Sequence, residues 1–176
     1  MLASEWKKIG HEEPYISRCG EVNDEIGSKI IAARLVQSIM RLCFLMEKEY
    51  TPYSKWFGTA FSRLKCSKKL FPVLNKILAS NNWKEREKFL AQAYEIIAQM
   101  HNNLKITKSL PAKVSKFHDR PYKVVNGELF TREIGKKIQN PIVRVISANI
   151  GSADQLTNND LTEDYKLVKK LKNLYK

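Results

Sequence analysis

The chain has 176 residues, 43% of them hydrophobic, enough for one domain with a buried core and too many for a disordered polymer. Its 31 Lys/Arg outnumber its 18 Asp/Glu, for a net charge of +13, and the imbalance is local: residues 1–50 hold seven cations and eight anions, residues 51–176 hold 24 and 10. No apolar run approaches the ~20 residues of a membrane span and no secretory apolar core opens the sequence, so the expectation is a soluble cytoplasmic protein with no membrane partner.

The positive later part attracts polyanions such as RNA, a nucleotide or an acidic protein, although a lysine-rich solvated surface gives the same count. The three cysteines, Cys19, Cys43 and Cys66, are widely spaced with no metal-ligand pattern, and are expected to be reduced and structural.

In chain order, Met1 to Ile9 reads as a helix with no capping residue ahead of its apolar pattern, as though something once preceded it. From Asp24 to Tyr50 runs the dominant helix, with apolar residues over most of its circumference from Ile26 to Met46, as in a central buried element. Arg34, Gln37, Ser38 and Arg41 form one narrow polar stripe on it. The two arginines need either internal acids such as Glu21, Glu25 or Glu47, or a cleft that receives an anion.

Pro52 begins a shorter helix with Tyr53, Trp56, Phe57 and Phe61. Leu70 to Ala79 predicts another. Asn82 then caps a helix that runs to Leu104, with Glu85 at the capping-box position and His101 on the apolar face as a core histidine. Beyond Leu104 the helical period is lost. A long connection containing Pro111 and Pro121 follows, with a short extended run at Tyr122–Val125 ending at Asn126-Gly127. A helix over Glu128–Ile138, a break at Asn140-Pro141, a Gly-Ser loop and a basic helix from Leu161 complete the chain. The fold class expected is mainly α: one domain over 1–176, a helical bundle around one long buried helix in 1–104, then a wrapping connection and C-terminal helices in 105–176.

The stretch "NIGSADQLTNNDLTED" at 149–164 tests for a nucleotidyltransferase metal site. That chemistry needs two carboxylates one residue apart on a strand, so that both face one Mg²⁺. Asp160 is followed two residues on by Thr162, and Glu163 and Asp164 are adjacent, so the pair is missing. "LTNNDLTED" reads better as a helix start with acids in its first turn. No Walker loop, dinucleotide glycine pattern, G-x-S-x-G or H-E-x-x-H occurs, so no cofactor, no metal and no catalytic residue is expected.

The runs "EWKKIGHEEPYISRCGEVNDEIGSKIIAARLVQSIMRLCFLMEKEYTPYSKWFGTAFSRLKC", "KFHDRPYKVVNGELF" and "NIGSADQLTNNDL" resemble the C-terminal region of the family named domain of unknown function 4037. The strings R-C-G-x-x-x-D-E-x-G-S and K-W-F-G-T-A-F carry the likeness. The resemblance implies a mostly helical domain that packs against a nucleotidyltransferase-like domain carrying the Gly-Ser and paired-Asp motif, which this sequence lacks. The expected function is therefore a non-catalytic substrate-binding or partner domain of a nucleotidyltransferase-like protein, truncated from it or acting in trans. The alternative is a basic helical RNA- or tRNA-binding module, with Tyr53, Trp56 and Tyr122 for stacking.

Candidate binding residues are those whose polarity solvation explains least. Arg18, Asp24, Glu25 and Ser28 stand at the entry to the central helix, and Arg34 and Arg41 lie along it. Lys55 and Trp56 offer a charge beside a ring, and His118 and Arg120 lie in the connection. A structural hydrogen bond or ion pair is the competing account of each.

Overall fold

A computed structural model describes residues 1–146 together with Lys169, Lys170 and Asn173. The Gly-Ser loop and the basic helix expected from Leu161 lie outside the described residues, apart from those three positions. Within them the protein is mainly helical, with one two-stranded sheet.

Helix α1 spans Leu2–Glu12 and, as expected, has no side-chain cap. Helix α2, Tyr15–Glu21, is not predicted by the sequence; seven residues containing a glycine and preceded by Pro14 give too short a period to recognise. Helix α3, Glu25–Glu47, is the long one. Asp24 caps it, its carboxylate accepting from the Gly27 N–H at 2.7 Å, and Lys48 ends it in the left-handed region at φ 60°.

After Pro52 the expected short helix is a 3₁₀ turn, Ser54–Trp56, running into α4, Phe57–Phe61. Helix α5, Ser67–Ala79, starts a turn before the predicted Leu70 and contains Pro72. Helix α6, Trp83–Asn103, starts where the sequence placed it: the Asn82 side chain accepts from Glu85 N–H at 3.0 Å.

The connection folds into a hairpin of β1, Ser115–Phe117, and β2, Arg120–Val124, antiparallel with a register irregularity at Lys116/Phe117. The predicted extended run is the second of its strands. Helix α7 is Gly127–Gly135. The Asn140-Pro141 break proves to be a helix start: Asn140 accepts from the Ile142 and Val143 N–H groups and Pro141 opens α8, Pro141–Val145.

The core sits where α3 meets α1, α2, α5 and α6, and holds Leu35, Ile39, Leu42 and Phe44 of α3 with Ile9, Leu70, Leu90 and Ile97. Residues beyond 104 join it: Leu110, Val125 and Phe130 are buried there. Helices α1 and α7 pack through paired glycines. A Cβ at Gly10 would lie 2.6 Å from the Glu128 nitrogen, and one at Gly127 would lie 2.5 Å from the Trp6 carbonyl oxygen. That approach lets Trp6 stack on Phe130 at 4.0 Å between ring centroids.

His101 is a core histidine. Its Nδ1 accepts from the Trp6 indole N–H at 3.2 Å and its Nε2 lies 3.1 Å from the Thr107 hydroxyl, while burial lowers its pKa and keeps it neutral.

Candidate functional site

The structure scatters the ten candidate residues over four places. The first is the joint between α3 and α6. Ser28 is fully buried, and its hydroxyl accepts from Arg86 at 2.6 Å; Glu25 accepts from the same guanidinium at 3.1 Å and from the Trp83 N–H at 3.0 Å. Arg86, itself buried, also donates to the Ser80 carbonyl at 3.1 Å. Burial acts to raise the Glu25 pKa, but the Trp83 and Arg86 bonds prevail and hold it below the usual range. Asp24, Glu25 and Ser28 are thus committed to capping and to joining helices. Sequence reasoning misses Arg86 because it lies inside the charged run "KEREK", which reads as a solvated face.

The second place is the outer surface of α3. Arg34 pairs with Glu12 of α1, an acid that the sequence does not single out, and borders a cleft of about 330 Å³ with Lys7, His11 and Glu128. Burial raises the Glu12 pKa, and Arg34 pulls it back. Arg41 is half-buried further along. Glu47 accepts from the Lys65 and Cys66 N–H groups at 2.8 Å each.

The same helix departs from the all-round burial its composition suggested. Ile26 is 76% exposed and Ile30 54%, with Val22 just ahead of α3 at 73%. With Ala33, Gln37 and Met40 the two isoleucines follow the 4-3-4-3 spacing of one helix face, a stripe roughly 21 Å long from 26 to 40. At its far end Phe57 and Leu78 flank it, leaving a groove of about 400 Å³. Along the stripe, Ile26, Ile30 and Ala33 are exposed, while Gln37 and Met40 are half-buried and Met40 packs on the core; uncovered isoleucines on successive turns mark an interaction surface.

The third place is the hairpin, where Arg18, His118 and Arg120 come together. The Arg18 guanidinium lies 5.9 Å from the Tyr15 ring centroid and 6.0 Å from that of Phe117. Arg120 pairs with Glu21 at 3.0 Å, and His118 sits at φ 53° with its ring 4.6 Å from Phe117. Tyr122, offered as a stacking ring, is buried beneath them and unavailable.

The fourth is the corner between α3 and α5. Lys55 lies over the Trp56 ring at 5.3 Å, and Trp56 is 49% exposed. Beside this corner a groove of about 1100 Å³ opens between α5 and α6, with Met46, Val73, Ile96 and Met100 in its wall and Lys65 and Lys69 at its edge. None of the ten candidates lines it.

One buried acid carries no signal in the sequence. Glu13 accepts from the Val125 N–H at 2.6 Å and the Gly127 N–H at 3.1 Å, pinning the turn before α7. Burial outweighs those bonds and pushes its pKa up to about 7. Nothing in "GHEEP" distinguishes it from Glu12.

Among the described residues no three His, Cys, Asp or Glu side chains gather in a way that could hold a metal ion, and no helix is long and apolar enough to cross a membrane. Cys43 and Cys66 are free and buried, and Cys19 is free and half-buried.

Residues 1–57, about a third of the chain, match the family model described as Domain of unknown function (DUF4037). The match covers α1 to α3 and the turn after them, the part of the chain that carries the open stripe; the later runs quoted for the resemblance fall beyond it. No curated protein and no solved structure matches the chain significantly.

Proposed function

We propose that this chain is a non-catalytic helical domain that serves a nucleotidyltransferase-like domain or subunit, covering it or helping to hold its substrate. The observation that carries the reading is the uncovered stripe of α3. Burying Ile26, Ile30 and Val22 against a partner is worth on the order of 25 cal/mol per Å² of apolar surface removed from water, and solvent exposure returns none of it. The stripe lies inside the segment that matches the family, and the resemblance of that segment supplies the kind of partner.

Catalysis is assigned to the partner because no D-x-D pair of the kind that holds Mg²⁺ on a strand occurs in this sequence. The test is co-expression with a nucleotidyltransferase-like chain carrying a Gly-Ser turn and a D-x-D pair from the same genome. A stable complex by size-exclusion chromatography is expected, lost in the Ile26→Asp/Ile30→Asp variant, with Mg²⁺-dependent nucleotide transfer only in the complex. Transfer by this chain alone would overturn the proposal.

A further inference from the structure

A second surface, away from the exposed N-terminal turns of α3, carries a different chemistry. Residues 48–71 contain six cations, Lys48, Lys55, Arg63, Lys65, Lys68 and Lys69, and one acid, Glu49. All six cations are exposed, and among the described residues none belongs to an ion pair. Crowding like charges in this segment opposes folding, and the Glu47 carboxylate, which feels the Lys65 charge and accepts from its N–H at 2.8 Å, offsets only part of that repulsion.

Four large aromatic side chains share the corner with substantial exposure: Tyr50, Tyr53, Trp56 and Phe71. They are not spilled core residues. The core's own aromatics lie beneath them, with Phe44 against Phe57 at 5.6 Å and against Phe61 at 6.3 Å, and Phe61 against Phe71 at 6.2 Å. Glu47 fixes the layout by bonding the Lys65 and Cys66 N–H groups, which holds the α4–α5 connection against the end of α3. Gly58, in the K-W-F-G-T-A-F string, has nothing within 4 Å of the point where a Cβ would stand, so packing gives no reason for a glycine there; it leaves bare backbone two residues from Trp56.

We infer that this corner binds single-stranded RNA, its cations tracking phosphates and its exposed rings stacking on bases. Cations alone would suit any polyanion; exposed rings in the same segment, with Lys55 over the Trp56 ring at 5.3 Å, suit a ligand that alternates phosphate and flat base. A bilayer fits less well, because the helix at the corner, α4, is only five residues long and turns Phe57 and Phe61 inward against Phe44. The inference does not depend on the proposed partner role, since the chain by itself carries the surface.

The test is fluorescence anisotropy of the full chain with a labelled 16-nucleotide oligo-U at 50 and 200 mM KCl. With all six cations engaged, the counterion slope for single strands predicts affinity falling roughly 300-fold between those salts. Trp56→Ala and Tyr53→Ala should each weaken binding about ten-fold, and Lys65→Glu/Lys69→Glu should nearly abolish it. Lys116→Glu/Lys123→Glu on the hairpin should leave it within two-fold, and circular dichroism confirms that each variant is folded. No binding at 50 mM KCl overturns the inference. So does competition by poly-glutamate as effective as by RNA, indifference to Trp56→Ala, or co-sedimentation with phosphatidylserine vesicles in preference to RNA.

Discussion

Replacing Arg86 by Met tests the joint that seats α6 on α3. The guanidinium makes three bonds, to Glu25, to Ser28 and to the Ser80 carbonyl, from a side chain that is 1% exposed. Methionine restores most of the packing volume but no donor. Ser28 and Ser80 are both buried, so each acceptor left unpaired costs about 1–3 kcal/mol. Glu25 loses less, because its side chain is 38% exposed and keeps the Trp83 N–H, so water takes over part of its solvation. The total should be about 3 kcal/mol, at the lower end of the ~3–5 kcal/mol typical of a broken buried pair. Urea unfolding followed by circular dichroism reads this directly. For a denaturant slope near ~2 kcal/mol/M, the midpoint should fall by about 1.5 M with the slope unchanged. Glu25→Gln alone should cost about 1 kcal/mol, and the double variant should cost less than the sum of the two, because the substitutions share one bond. A loss below ~1 kcal/mol for Arg86→Met at unchanged slope would refute the claim that these bonds organise the joint.

Glu13 makes stability depend on pH. Its folded pKa of about 7 exceeds the unfolded 4.5, so its contribution is fully present below pH 4.5 and is lost as pH rises through 7, a swing of about 3 kcal/mol. Urea midpoints across pH 4.5–7.5 should fall with rising pH, and the slope should flatten in Glu13→Gln; identical pH profiles for the two proteins would refute the assignment. Gly10→Ala and Gly127→Ala each drive a methyl into backbone at 2.5–2.6 Å and should cost about 2 kcal/mol, whereas Gly58→Ala should cost no more than ~0.5 kcal/mol, all read by thermal unfolding. Ile26→Asp, on the open stripe, should change the stability of the isolated chain by less than ~0.5 kcal/mol, and a loss above ~2 kcal/mol would mean that the stripe is already covered.

The elements were legible where one local signal sufficed. Asn82 caps the helix it was expected to cap, because a short polar side chain ahead of an apolar period has one inexpensive place to go, and Asp24, read only as a binding candidate, does the same for α3. His101 was legible as a core histidine from its place on the apolar face of α6. The candidate residues were not legible in this way. Arg86 and Glu13 look like surface charges in their own segments, and they become buried anchors only because distant parts of the chain, Ser28 and Ser80 for one, Val125 and Gly127 for the other, close over them. Periodicity reports which face of a helix is apolar but not whether anything arrives to cover it, so the exposure of Ile26 and Ile30 was hidden in a sequence that reads as buried all round.

By itself, then, the sequence determined a mainly helical chain with a basic later part and without a D-x-D pair, because composition, period and spacing are local properties. Only the tertiary structure decided which charges are consumed in joints and which stand free. Whether Arg34 meets Glu12, and Arg86 meets Glu25, depends on which helices pack side by side, and that pairing is set by contacts between residues far apart in the chain.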